Sequence, residues 1–273
     1  MTQQQKYLVV CGMCGLLAAS GAMAEPLARD WQDESNWRYS ITGYAFLPAS
    51  TDGTSTVAGT DVDLDLDLSD ALDLLDGALA GRFEAWKGDY GLIVDLNYVD
   101  LGANGTFTLP TPMNPSVTVD ADIQQFWLGF LGTYRVANTT YGSKGNRFSF
   151  DLQGGLRYNE LKQEVTVTTP GPAPVLGGTE SWWEPVIGGR AVWELSDRWS
   201  AALAADFGGF GAGGNDLQVG VNAGLRLSTG KQGTVRLGYR FYSIDFSKVR
   251  SDGKFAYDVQ QHGPYIGYTW NWQ

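Results

Sequence analysis

His262 is the only histidine in the chain. A histidine that did chemistry would act as a general base on a Ser or Asp partner. Asp258 and Ser243 are the nearest candidates, and hydrolysis at a membrane rim is the reaction they would suit. His262-Gly263-Pro264 matches no hydrolase motif, so a histidine bonded to a neighbour is the competing reading. The run Gly208-Gly209-Phe210-Gly211-Ala212-Gly213-Gly214 is no phosphate loop, because no strand–loop–helix context and no Lys follow it. It reads as a connection rich in positive φ. A third stretch alternates Asp61, Asp63, Asp65 and Asp67 with Val62, Leu64, Leu66 and Leu68, and Ser69 then stands where it could cap a short helix. Three readings stay open for it: an extracellular extension of a hairpin, a segment folded into a barrel mouth with its carboxylates on interior arginines, or a calcium loop. Calcium loops use turn-forming Gly or Asn among their ligands, and this run has neither.

The remaining charges fall at alternate positions of apolar segments, which defines the elements that must carry them. From Phe148 one face reads Phe148, Phe150, Leu152, Gly154, Leu156 and Tyr158, and the other Ser149, Asp151, Gln153, Gly155, Arg157 and Asn159. Tyr90 and Gln218 open segments of the same kind, and period two is the signature of a strand. About ten such segments can be counted, approximately 37–47, 77–87, 90–102, 117–137, 147–168, 181–195, 199–211, 215–228, 234–248 and 255–272. Short connections at 87–89, 138–146, 196–198 and 229–233 alternate with longer ones at 48–76, 103–116 and 169–180, although 212–214 is brief. That asymmetry predicts an all-β fold: a transmembrane antiparallel up-and-down β-barrel of about ten strands, with eight or twelve as fallbacks. Its short turns and both termini would be periplasmic, and its longer loops extracellular.

Composition agrees. The chain has 36 Gly, 13% aromatic and only 18% charged residues, which disfavours helical bundles and acidic disordered chains alike. Acidic residues outnumber basic ones 30 to 19, which argues against a nucleic-acid partner. Residues 1–24 read as a cleavable export signal: a start carrying Lys6, an apolar run from Tyr7 to Leu17, and Ala22-Met23-Ala24 before Glu25. Residues 25–36 would form a periplasmic segment and 37–273 the barrel. Both cysteines, Cys11 and Cys14, fall in the signal, so the mature chain would have no thiol chemistry, and no metal or cofactor is expected. Trp37, Trp86, Trp193, Trp199, Trp270 and Trp272 fall near the turn ends of the strands, with Trp182 and Trp183 near the opposite ends, as an aromatic girdle at the headgroups requires.

The last segment alternates Ile266, Tyr268, Trp270 and Trp272 up to the C-terminus. With the strand pattern, and with Asp61 to Asp70, Gly81-Arg82-Phe83-Glu84 and Tyr90-Gly91-Leu92, the chain resembles the small outer-membrane β-barrel proteins of Gram-negative bacteria from about Trp37 to Trp272. The resemblance implies a cell-outer-membrane location, contact with outer-membrane lipid and lipopolysaccharide, and delivery by the barrel-assembly machinery.

Polar faces of such strands should point inward, since lipid penalises charge. The interior would then hold Arg82, Glu84, Asp95, Asp151, Arg157, Glu184, Arg190, Asp206, Arg226, Arg236 and Arg240, with Asn97, Gln125, Arg135, Gln153 and Asn222. Unpaired charges in a narrow lumen are costly, so arginine–carboxylate pairs are expected across it. The role that follows is structural or surface-interacting, without catalysis, around a largely closed lumen. A narrow porin-like channel and a rim hydrolase built on His262 are the alternatives, and a soluble periplasmic barrel is a further one. Lys248, Arg250 and Lys254 cluster near the outer end of the last hairpin, where they would meet lipopolysaccharide phosphates or simply face water.

Overall fold

The computed structural model describes residues 36–108, 116–168 and 175–273. The export signal expected over 1–24 lies outside the described residues, as does the N-terminal segment up to residue 35. The elements are β1 (Arg38–Phe46), β2 (Ser50–Val57), β3 (Thr60–Asp67), α1 (Leu68–Leu74), β4 (Leu75–Lys87), β5 (Tyr90–Thr108), β6 (Ser116–Tyr141), β7 (Asn146–Thr168), β8 (Val175–Glu194), β9 (Trp199–Ala212), β10 (Asn215–Ser228), β11 (Gly233–Arg250) and β12 (Gly253–Trp272). β1 and β4 to β12 pair with their neighbours in turn, all antiparallel. The circle closes where β1 meets β12, from Tyr39 opposite Trp272 to Phe46 opposite Tyr265. The result is a closed barrel of 10 strands.

The alternation that forms each strand also decides what each face meets, and it changes phase partway along. In the lower part of β11 the outward residues are Leu237 and Tyr239, both about half exposed, and the inward ones are Arg236 and Arg240. Farther up, Ile244 and Phe246 turn inward and are buried, while Asp245 points out and is exposed. β12 repeats the change: Ile266, Tyr268 and Trp270 are exposed outside, whereas Phe255, Tyr257 and Val259 are buried inside. Below the change, an apolar exterior and a polar interior suit a wall standing in lipid. Above it, a polar exterior and an apolar interior suit a sheet standing in water. The 26 residues of β6 and 23 of β7 far exceed the ~9–11 that cross a bilayer, so the barrel wall continues beyond the lipid.

Much of what reads as loop in the sequence is therefore strand. The stretch 48–76 contains β2, β3 and α1, and the expected loops at 103–116 and 169–180 supply the upper ends of β5 and β8. β12 is shared at this level. Its lower half pairs with β1, and its upper half pairs with β2, from His262 opposite Ser50 to Ala256 opposite Thr56. The β2–β3 hairpin is amphipathic. Asp61, Asp63 and Asp65 are exposed on one face; Ser55 and Val57 are buried on the other, and Leu64 packs there against the apolar interior. The hairpin thus folds over the mouth, but its carboxylates do not meet interior arginines as one reading proposed. They point away from the lumen, because the leucines compete successfully for the buried side. Ser55 Oγ donates to the side-chain oxygen of Gln163 on β7, across the barrel. Close approach to β8 is permitted by Gly177 at φ 86°, where a Cβ would stand 2.8 Å from Val57 Cγ1 and 2.1 Å from the Gln163 carbonyl oxygen. The cap of α1 is Asp67, not Ser69: Asp67 accepts from the Ser69 hydroxyl at 2.7 Å and from the amides of Asp70 at 3.0 Å and Ser69 at 2.7 Å, and these bonds, the hydroxyl's first, hold its carboxyl below the usual range.

Candidate functional site

The lumen contains three groups of paired charges and three cations that stand outside them. β4 and β5 bring Arg82 against Asp95, with Nε donating at 2.9 Å, and the Tyr44 hydroxyl donates to the same carboxylate at 3.2 Å. Near the turn end, Arg190 on β8 donates to both oxygens of Glu84 on β4, at 2.8 and 3.0 Å, and also to Asp151 on β7 at 3.1 Å. Asp151 receives Arg135 from its other side at 2.8 Å and is fully buried. Higher up, Arg157 joins Asp206 on β9 and Glu184 on β8, the latter at 3.6 Å. Glu184 is also fully buried; it accepts from Trp182 Nε1 at 3.0 Å and from the Asn215 amide. Each carboxylate of the expected set is thus held by at least one arginine, which satisfies charges that burial would otherwise make expensive.

Arg226, Arg236 and Arg240 depart from that pattern: among the described residues none of them forms an ion pair with a carboxylate. Arg226 and Arg236 are instead direct cross-strand neighbours on β10 and β11. Arg240 is buried, and its guanidinium stands over the rings of Phe46 at 5.4 Å, Tyr242 at 5.4 Å and Trp127 at 5.9 Å. The expectation of general pairing fails here because the interior face of β9 to β12 offers only Asp206, and Arg157 already occupies it.

Trp86 corrects the expected girdle. Strand alternation puts it on the Glu84 side, where its Nε1 donates to Glu84 at 3.1 Å and the guanidiniums of Arg135 and Arg190 stand 4.8 and 5.7 Å from its ring. The structure places Trp37, Trp193, Trp199, Trp270 and Trp272 on the outward face near the turns, with Tyr39 stacked between Trp37 and Trp272. At the other end Trp183 is exposed outside, and its neighbour Trp182 turns inward.

Trp182 belongs to a cluster the sequence reading did not anticipate. With Leu161, Tyr242, Ile244, Phe246, Phe255, Tyr257 and Val259 it fills the barrel above the charges, and Trp182 lies flat on Phe246 at 4.1 Å. A smaller inward group, Ile93, Leu131 and Val186, sits lower down. The signal for the large cluster was the phase change along β11 and β12. Below it a cavity of about 100 Å³ contains Arg226, Arg236, Arg240 and Tyr265. A vestibule of about 540 Å³ leads from there to the turn end.

The other candidates lie apart. His262 faces outward and its Nδ1 is 2.6 Å from the Tyr239 hydroxyl, so neither Asp258 nor Ser243 is its hydrogen-bond partner. Lys248 and Arg250 both bind Glu180, at 2.6 and 2.7 Å, leaving Lys254 as the one of the three with no carboxylate partner among the described residues. Among the described residues no grouping of His, Cys, Asp or Glu could hold a metal ion, and Asp61 to Asp67 are spread along a strand face, not gathered round a point.

These features define a class. A closed barrel whose lower exterior is apolar and whose interior is charged is a β-barrel of the outer membrane. No protein-family model matches the chain, and no curated relative matches its sequence. Among solved structures it is similar to the translocator domain of the autotransporter NalP from Neisseria meningitidis, at 12% identity over 98% of this chain and 94% of that one, with a TM-score of 0.40. It is also similar to the outer-membrane protease OmpT of Escherichia coli (8%, 93% and 100%, 0.42). A third is the attachment invasion locus protein Ail of Yersinia pestis (9%, 87% and 99%, 0.35). Barrels of this class serve as adhesins, proteases, channels and transporters, so the fold alone assigns none of these roles.

Proposed function

We propose that this protein is a sealed outer-membrane barrel that acts through its outer surface and catalyses no reaction. The observation that carries this reading is the closure of one mouth. The apolar cluster fills the upper lumen and the β2–β3 hairpin spans it, held to the far wall by Ser55 and Gln163. Barrels of this class keep short turns and termini in the periplasm, so the sealed mouth is the extracellular one. What it presents outward is an acidic strand face, Asp61, Asp63 and Asp65, on a strand whose far edge pairs with no other described strand. A free edge beside like charges suits a basic extended partner. Contact with lipopolysaccharide phosphates falls to Lys254, since Glu180 engages the other two cations. The engagement of His262 by Tyr239 supports the non-catalytic reading.

The test is binding of a fluorescent oligolysine peptide to the barrel in neutral-lipid proteoliposomes. The intact protein should bind it in a salt-sensitive manner, and Asp61→Asn, Asp63→Asn and Asp65→Asn together should weaken binding about tenfold or more, the size of one or two screened ion pairs. Equal binding by the folded triple variant would reject the surface assignment.

A further inference from the structure

We infer that the lumen contains a binding site for a small oxyanion of the phosphate type, formed by Arg226, Arg236 and Arg240 and entered from the periplasmic end. The first support is the charge pattern. Arg226 and Arg236 face each other across β10 and β11, an arrangement that is destabilising unless a counter-charge intervenes. Arg240 lies on the same face of β11, with Gly238 between it and Arg236, and Gly224 is opposite Gly238. A Cβ on either glycine would collide with Tyr265, with its ring at 2.6 Å for Gly238 and with its hydroxyl oxygen at 2.9 Å for Gly224. The absence of those side chains seats Tyr265 between the two levels of arginine, with its hydroxyl among them.

Unsatisfied donors are the second support. Arg240 is 9% exposed, and its Nε has no hydrogen-bond partner; the Nε of Arg236 has none either. Arginine forks of this kind match phosphate oxygens in pairs. The neighbouring carboxylates cannot satisfy them, because Asp95, Glu84 and Asp206 are already bound by Arg82, Arg190 and Arg157.

Access is the third. The ~100 Å³ cavity holding the three arginines is roughly three water volumes, which suits one tetrahedral oxyanion. Arg190, Arg226 and Arg236 line both this cavity and the 540 Å³ vestibule, so the two spaces adjoin. Cationic side chains outnumber carboxylates along the vestibule, giving an anion an inward attraction. The apolar cluster blocks the far side, so an anion would enter and leave by one end.

The experiment uses the intact purified barrel in detergent. Inorganic phosphate is titrated against chloride at constant ionic strength, while tryptophan emission and the temperature of heat-induced unfolding are read. A saturable emission change and a phosphate-dependent rise in unfolding temperature are expected, with sulfate and citrate as further arms that rank the oxyanion class. Arg226→Gln and Arg236→Gln should each weaken phosphate binding at least tenfold. Each should also unfold at a higher temperature than the parent when phosphate is absent, a gain that a merely structural arginine would not show. If either fails to fold, Arg236→Lys keeps the charge, loses the fork and should show the same weakened binding. Phosphate acting no differently from chloride, or folded variants that bind it as the parent does, would overturn the site. This outcome is independent of whether the outer mouth is sealed.

Discussion

Glu84→Gln probes the lumen network most sharply. Glu84 is 3% exposed, accepts two hydrogen bonds from Arg190 and one from Trp86, and with Asp151 stands beside the vestibule arginines. Removing one partner of a buried ion pair costs about 3–5 kcal/mol, because the other charge stays buried. Here Arg190 keeps Asp151 at 3.1 Å, and the new amide oxygen still accepts one bond. The loss should therefore lie at the low end, about 3 kcal/mol. The reading is the urea midpoint of the folded barrel in lipid vesicles, followed by tryptophan emission. A second arm tests the cause: adding Arg226→Gln to Glu84→Gln lowers the excess positive charge and should restore part of the stability, as expected of interacting sites. A loss below about 1 kcal/mol, or strictly additive effects, would refute the claim that Glu84 balances that end of the lumen.

Three further outcomes follow. Phe246→Ala removes a ring that is 1% exposed and stacked on Trp182, so unfolding stability should fall by about 3–5 kcal/mol, read by the same urea titration. The Asp252 carboxyl is held below its ordinary range first by the Gly177 amide and also by Arg250. Its contribution is fully present above the ordinary aspartate value and is lost as pH falls through the depressed folded value, so hydrogen exchange at Gly177 should accelerate only in that acidic window. Partial desolvation at the strand surface raises the Asp245 carboxyl, and the neighbouring Asp258 and Asp216 raise it further. Charging it therefore weakens the fold as pH rises past the ordinary aspartate value, and Asp245→Asn should raise the urea midpoint at pH 7 but not at a pH below that value.

The strands were legible because lipid, water and pleat impose alternation on the chain. The segments read from sequence lie on the ten barrel strands, and the outward tryptophans at the turn end follow from the same parity. Parity applied more strictly would also have corrected Trp86, which is two residues from Glu84 and so shares its face. The β2–β3 hairpin was less legible. Its Asp–Leu alternation shows an amphipathic strand, but which wall it covers depends on contacts with Gln163 and Gly177, more than a hundred residues away. The apolar cluster was hidden by the assumption that every interior position of a membrane barrel is polar. The phase change on β11, from Leu237 and Tyr239 outside to Ile244 and Phe246 inside, records where lipid ends. Pairing in the lumen was legible as charge balance but not as partners, which is why the three arginines without carboxylates emerge only in three dimensions.

The most direct test of the sealed barrel is planar-bilayer conductance of protein whose folding is confirmed by heat-modifiable gel mobility. The account predicts no discrete conductance steps, because the cluster around Trp182 and Phe246 and the β2–β3 hairpin block the outer mouth. Stable unitary steps from the folded chain would contradict it and make the protein a channel.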